Sequence, residues 1–443
     1  MMVPRVAEIK IRERSIGRDT RRAEIVDDHL LTETQHESKP PFVEFVALMA
    51  MLMSLVALSI DAMLPALGEI GRDLGVARDN DVQLVVSLIF FGIAVGQLAY
   101  GPLSDSIGRK PALLAGLGLY MVGCFLSLFA QSFSVMLAGR LMQGLGVAGP
   151  RIVAVALIRD QYEGRLMARV MSFVMAIFII VPIIAPAMGQ GVLLIASWRA
   201  IFGVFLVMAV AVSFWFTIRQ PETLPLDRRI PLSPARVVSG FREVLTNRTA
   251  LGYTITAGLV FGSFIGYLST AQQIFQVQYG LGKLFPLYFA LLSIALGAAS
   301  LANARLVMRY GMKPLSRWAL TVMGSISVGF FGVSYLVAGH PPLWALVAYL
   351  LVVFFCEGIL YGNMNALAME PLGHIAGVGA AVVGALSLLI SLAGGTVIGQ
   401  AYDGTILPLV AGFGGLGIVA LVVMRWTESE AVVETGVVEP SSE

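Results

Sequence analysis

The sequence predicts an all-α integral membrane protein of twelve transmembrane helices, arranged as two pseudo-symmetric six-helix bundles. Three observations lead there. The 443-residue chain has a mean hydropathy of +0.82 and only 13% charged residues, whereas soluble domains carry about 25%. It contains twelve apolar runs, each near the roughly 20 residues that cross a bilayer as a helix. A polar stretch, 219–249, divides the runs into six and six.

In chain order, residues 1–41 hold eight Lys or Arg, many acids and no apolar core. They read as a disordered cytoplasmic tail, neither signal peptide nor span. Apolar runs at 42–66, 82–102, 112–130, 135–157, 170–194 and 199–218 form the N-terminal bundle, 42–218. The stretch 219–249, with Pro221, Pro225, Pro231, Pro234 and six arginines, has the composition of a cytoplasmic linker. Runs at 250–271, 284–308, 317–337, 342–368, 375–398 and 405–424 form the C-terminal bundle, 250–424, and residues 425–443 a polar C-terminal tail.

With the N-terminus inside, 24 of the 30 Lys and Arg fall in cytoplasmic segments, so both termini are expected to be cytoplasmic. Gly108-Arg109-Lys110-Pro111 after helix 2 recurs as Gly311-Met312-Lys313-Pro314 after helix 8. This faint repeat suggests duplication, the arrangement by which transporters set a binding site between two moving halves.

The net charge of +2 is spread over many loops and implies no nucleic acid. Cys124 and Cys356 lie in apolar runs without ligand neighbours and read as packing residues. No phosphate loop, nucleophile elbow or metal-ligand cluster occurs, and the four His are isolated. No enzyme activity, metal or cofactor is therefore expected.

The chemistry rests on a few polar residues inside spans. Asp61 is the one acid in the apolar core of helix 1 and shares a face with Ser54, Leu58 and Pro65. A carboxylate in a membrane is a functional candidate by default. In helix 4, Arg140, Gln143, Val147 and Arg151 share a face, and a buried arginine needs compensation, so Asp61 is the expected partner of Arg140. Separating the two during transport would let Asp61 bind and release a proton. A purely structural ion pair, or an Arg140 that snorkels to the outer interface, are the competing readings. Glu357 in helix 10 shares a face with Tyr361, Met364 and Asn365 and suits a second proton site, an anchor for a cationic substrate, or a structural acid. Gln272, Gln273, Gln276 and Gln278 at the outer end of helix 7 can line a polar vestibule, although helix-end solvation explains them as well.

Gly101-Pro102-Leu103-Ser104-Asp105-Ser106-Ile107-Gly108-Arg109-Lys110 resembles the loop signature of the major facilitator superfamily. Gly101 is expected to let helices 2 and 11 approach, and Asp105 to face cations and a helix N-terminus. The resemblance implies that Asp105, Gly108, Arg109 and Lys110 belong to a latch for the outward-open state, with Ser106 replacing the usual basic residue. The bland alternative is that Arg109 and Lys110 only fix topology. Arg140-Leu141-Met142-Gln143-Gly144-Leu145-Gly146 resembles the superfamily's second motif. Pro182, Pro186 and Gly189 in helix 5 resemble its antiporter motif, although Gln190 stands where a second glycine is usual; a packing kink is the plainer reading.

Asp61-Ala62-Met63-Leu64-Pro65-Ala66-Leu67, Ser197-Trp198-Arg199-Ala200-Ile201-Phe202 and Glu370-Pro371-Leu372-Gly373-His374-Ile375-Ala376-Gly377 resemble Bcr/CflA-type multidrug exporters, over essentially all of 42–425. The family's implication is a monomeric drug:proton antiporter of the bacterial inner membrane. It would export chloramphenicol- or bicyclomycin-like compounds, with drug, protons and the lipid bilayer as its partners. A proton-coupled exporter or importer of an endogenous metabolite, or a non-transport membrane receptor, are the alternatives.

Overall fold

The structure, a computed structural model, describes residues 40–429. The expected N-terminal tail, apart from residues 40 and 41, and residues 430–443 of the C-terminal tail lie outside the described residues. Eleven stretches are long and apolar enough to cross a membrane. One of them, Leu343–Gln400, is two helices joined by the 3-10 turn Glu370–Ile375, which brings the spans to twelve.

The N-terminal six are α1 (Phe42–Asp61), prolonged through the 3-10 turn Leu64–Ala66 into α2 (Leu67–Asp73), then α3 (Leu84–Ile107), α4 (Arg109–Leu128), α5 (Phe133–Gln161), α6 (Gly164–Leu193) and α7 (Arg199–Arg219). The polar stretch after α7 contains α8 (Pro234–Thr246), a helix that its proline content hides. The C-terminal six are α9 (Arg248–Gln272), α10 (Phe285–Tyr310), α11 (Met312–Leu336), α12 (Leu343–Met369), α13 (Ala376–Gln400) and α14 (Leu407–Glu428). Among the described residues no strand occurs, as expected where every backbone group must be satisfied within a spanning segment.

The sequence repeat is also a geometric one. Gly108 is the single residue between α3 and α4 with φ +107, and Gly311 the single residue between α10 and α11 with φ +80. Each reversal needs a backbone that side chains rarely adopt. Pro111 and Pro314 then fall in the first turn of the helix that follows, where the missing N–H costs nothing.

Helices within a half pack backbone to backbone. A Cβ on Gly144 of α5 would strike the Ile89 carbonyl of α3, the small-residue contact that replaces hydrophobic driving force in lipid. The end of the molecule carrying the α7–α9 connection is called below the linker end, and the opposite one the far end.

Candidate transport site

Asp61 is the last residue of α1, at the point where the helix tightens into the Pro65-containing 3-10 turn. It is 6% exposed, and among the described residues no cation compensates it. On α9 of the opposite half, which touches the 3-10 turn following Asp61, Tyr267 is 1% exposed and its hydroxyl has no hydrogen-bond partner.

The expected Asp61–Arg140 pair does not form. Arg140 is fully buried, so it does not snorkel either. Its guanidinium donates to the Val85 carbonyl at 3.0 Å, the Ser59 carbonyl at 2.8 Å and Gln143 Oε1 at 2.7 Å. Its carbon lies 5.8 Å from the centre of the Phe202 ring. Gln143 donates in turn to the Gly123 carbonyl at 3.1 Å and Ser127 Oγ at 3.0 Å. The reason for the miss is rotational. Arg140 reaches helix 1 on the side of Ser59, whose hydroxyl is 2.6 Å from the Tyr120 hydroxyl inside the N-terminal half. Asp61, two residues on, points to the other side of the helix.

Pro182 and Pro186 lie inside the continuous helix α6. Gly189, one turn farther, packs so tightly on α1 that a Cβ would collide with the Ala62 carbonyl. The antiporter-like stretch therefore seats directly on the residue after Asp61.

The loop residues are brought together, but not across the halves. Arg109, 4% exposed, pairs with Asp105 at 2.5 Å and Asp160 at 2.9 Å, and donates to Ser104 Oγ at 2.9 Å. The backbone N–H groups of Arg109 and Lys110 donate to the Glu222 carboxylate at 2.9 and 3.0 Å, so an acid of the linker caps the N-terminus of α4. Lys110 Nζ donates to the Thr217 carbonyl at 2.7 Å, and the Asp105 carbonyl accepts from Ile230 N–H at 2.9 Å. Asp105 faces a cation, as expected, and that cation is Arg109 at the start of α4, but the backbone N–H groups there donate to Glu222 and not to Asp105. The expectation for Gly101 is corrected too, since a Cβ there meets nothing within 4 Å. Helices α3 and α13 touch farther out, where a Cβ on Gly384 would lie 2.9 Å from Gln97 Oε1. They diverge toward the linker end.

The far end, by contrast, is bridged by neutral amides. Gln83 Nε2 donates to Gln273 Oε1 at 2.6 Å, and Gln273 Nε2 donates to Asn80 Oδ1 at 3.0 Å. Asn80 Nδ2 donates to the Gln400 and Tyr402 carbonyls at 3.1 and 2.8 Å, and Gln400 Nε2 returns a bond to the Asn80 carbonyl at 3.0 Å. Asn80 and Gln83 sit in the 3-10 turn before α3, Gln273 in a π-helical turn ending α9, and Gln400 at the end of α13. Gln273 is 7% exposed and seals the expected vestibule. Asn80, Gln83 and Gln400 escaped the sequence reading; the only signal was a cluster of amides at three helix ends.

Glu357 is 3% exposed and makes no hydrogen bond to Tyr361, Met364 or Asn365, which follow it on the same unbroken helix. Met364 is fully buried, while Tyr361 is 45% exposed and Asn365 donates to the Tyr361 carbonyl at 2.9 Å. Instead, Glu357 Oε1 accepts from Ser263 Oγ of α9 at 3.2 Å, and its other oxygen has no partner. Ser263 and Tyr267 are one turn apart on α9, so that helix carries a polar group toward each buried acid.

With this geometry established, relatives are informative. A family model of the Major Facilitator Superfamily matches residues 48–395. An uncharacterized MFS-type transporter, YdgK of Bacillus subtilis, is 31% identical over 350 residues, covering 77% of this chain and 85% of its own. A bicyclomycin resistance protein homolog of Haemophilus influenzae is 26% identical over 403 residues, covering 90% of this chain and 100% of its own. The solved D-xylose-proton symporter superposes with a TM-score of 0.67 at 14% identity, over 87% of this chain and 97% of that one, a likeness of fold alone. The chain belongs to the major facilitator superfamily and is a multi-pass membrane transporter, not an enzyme.

Proposed function

We propose that this transporter is a proton-coupled antiporter that exports small amphipathic drugs, of the chloramphenicol and bicyclomycin kind, by alternating access. Asp61 is its principal proton site. The observation that carries the reading is the setting of Asp61: a lone carboxylate, 6% exposed, next to the tightly packed Gly189 of α6 and to the 3-10 turn that touches α9 of the opposite half. Burial without a cation favours the neutral acid over the carboxylate, and a rearrangement that admits water reverses the preference. Opening and closing around Asp61 is therefore tied to proton release and uptake.

The linker end is cytoplasmic in this reading, because the loops there hold most of the Lys and Arg, and the bacterial inner membrane is the site. The state described is then inward-facing: bridged at the periplasmic end, parted between α3 and α13 near Gly101. The bundles 42–218 and 250–424 rock against one another as a monomer, tethered by 219–249. In the outward-open state Asp105, Gly108, Arg109 and Lys110 would form the latch that is unmade across the halves here. Drug export is supported by the relative named for bicyclomycin resistance. It is supported too by aromatic rings, Phe90 against Phe261 across the halves at 6.0 Å and Phe261 against Tyr361 within the C-terminal half at 5.4 Å, a surface suited to apolar, ring-bearing ligands. Arg140 and Gln143 hold helix 1 in register, and Glu357 with Ser263 is the reserve proton site of the C-terminal half.

The test is transport by Asp61→Asn in proteoliposomes with an imposed pH gradient. The variant is expected to bind drug but not to move it against its gradient, while Asp61→Glu retains part of the activity with an altered pH profile. Glu357→Gln is the control. If Asp61→Asn still concentrates drug and Glu357→Gln does not, the proton runs through α12 and the assignment fails.

A further inference from the structure

The helix hidden in the linker has two unequal sides. Helical spacing places Val237, Val238, Gly240, Phe241, Val244 and Leu245 on one apolar side of α8, and Arg236, Ser239, Arg242 and Thr246 on the other. Only part of the apolar side is used by the protein. Gly240 and Val244 are buried, and a Cβ on Gly240 would meet Val378 and Val382 of α13. A second tie is the contact of Glu243 Oε1 with His374 Nε2 at 2.5 Å. Val237 and Phe241 are half-buried, while Val238 and Leu245 at the edge of that side stay uncovered, 65% and 50% exposed. The segment leading into α8 repeats the composition, since Ile230 and Leu232 are 43% and 53% exposed beside the exposed Arg228.

Position decides what can cover these side chains. A single residue, Asn247, separates α8 from the spanning helix α9, and its side chain caps α9 by accepting from Ala250 N–H at 2.9 Å. That capped junction fixes α8 at the level where α9 leaves the bilayer. A half-covered apolar strip flanked by arginines, at that level, is the pattern of a helix lying in a membrane interface. Arginines on the flank match anionic headgroups in charge.

We propose that α8 is a lipid-docking helix: Val238 and Leu245 insert among the acyl chains at the linker end, and Arg236 and Arg242 engage anionic phospholipid headgroups. Because α8 is fixed to α13, the docking ties the first turn of that helix to the bilayer surface. Each arginine contributes roughly fivefold to binding of an anionic surface.

The test uses the full-length protein in nanodiscs of phosphatidylcholine with or without phosphatidylglycerol. Single cysteines replace Val238, Ser239 or Leu245 and carry an environment-sensitive fluorophore; both native cysteines are buried. At positions 238 and 245 a lipid-borne quencher is expected to be effective and aqueous iodide ineffective, with the reverse at 239. Phosphatidylglycerol should strengthen the lipid quenching, and combining Arg236→Gln with Arg242→Gln should remove that increment. Iodide quenching at all three positions places the strip in water, and silence to both quenchers at 238 and 245 places it against protein. Either result overturns the proposal, as does an unchanged phosphatidylglycerol response in the double variant. None of these readouts depends on which drug or ion is transported.

Discussion

Asn80 makes more of the far-end closure than any other side chain, so Asn80→Ala is the sharpest perturbation of the conformational balance. The amide donates to the carbonyls of Gln400 and Tyr402 at 3.1 and 2.8 Å and accepts from Gln273 at 3.0 Å. All three partners belong to the C-terminal half, so the bonds exist only while the far end is closed. A protein hydrogen bond is worth about 1 kcal/mol net. Losing three from one state alone shifts the equilibrium toward the far-end-open state by about 2–3 kcal/mol, roughly 30- to 150-fold. Spin labels at Ile195 and Leu336, 88% and 85% exposed at the far ends of the two halves, report the change as a distance distribution. Wild type should give mainly the shorter distance without substrate, and Asn80→Ala a major population at longer distance. An unchanged distribution for a properly folded Asn80→Ala protein would refute the view that the amide bridge holds the closed end.

Two further outcomes follow from glycine environments. Gly101→Ala meets no atom within 4 Å and replaces the poorer helix former, so the melting temperature should hold or rise, in keeping with a gain of up to about 1 kcal/mol. Its transport rate should nevertheless fall if α3 and α13 close there in the other state, and a wild-type rate would show that they do not. Gly189→Ala does the opposite, driving a Cβ into the Ala62 carbonyl; it should lower thermal stability by about 1–3 kcal/mol and depress transport, which a melting curve and an uptake assay read together.

Much of the fold was legible because a spanning helix writes itself as a run of apolar residues, and the loops between runs are short. The helix α8 is hidden because a stretch with four prolines has the composition of a loop. Pro234 in fact stands at the first helical position, where proline is favoured, and the 3.6-residue spacing of Val237, Gly240, Phe241 and Val244 was there to be counted. The site was legible in kind but not in pairing. Asp61 and Arg140 are both buried polar groups inside the N-terminal half, yet helix rotation, which no single sequence states, turns Arg140 onto Ser59 and leaves Asp61 on another side of helix 1. The same limit hid the partners of Gln273, which lie 190 and more positions away.

The two ends of the molecule are built from different interactions, and the difference bears on how it can switch. At the linker end the strong pairs stay within one half: Arg109 with Asp105 and Asp160, Arg219 with Glu44 at 2.6 Å, and Arg317 with Glu428. Parting the halves there leaves no charge without its partner, which for a buried pair costs about 3–5 kcal/mol. At the far end, five amide hydrogen bonds cross between the halves. At about 1 kcal/mol each they sum to about 5 kcal/mol. Moving a two-state equilibrium from 99:1 to 1:99 takes about 5.5 kcal/mol. Neutral amides therefore close the far end firmly enough to define a state, yet weakly enough that the differential binding of one substrate can reopen it.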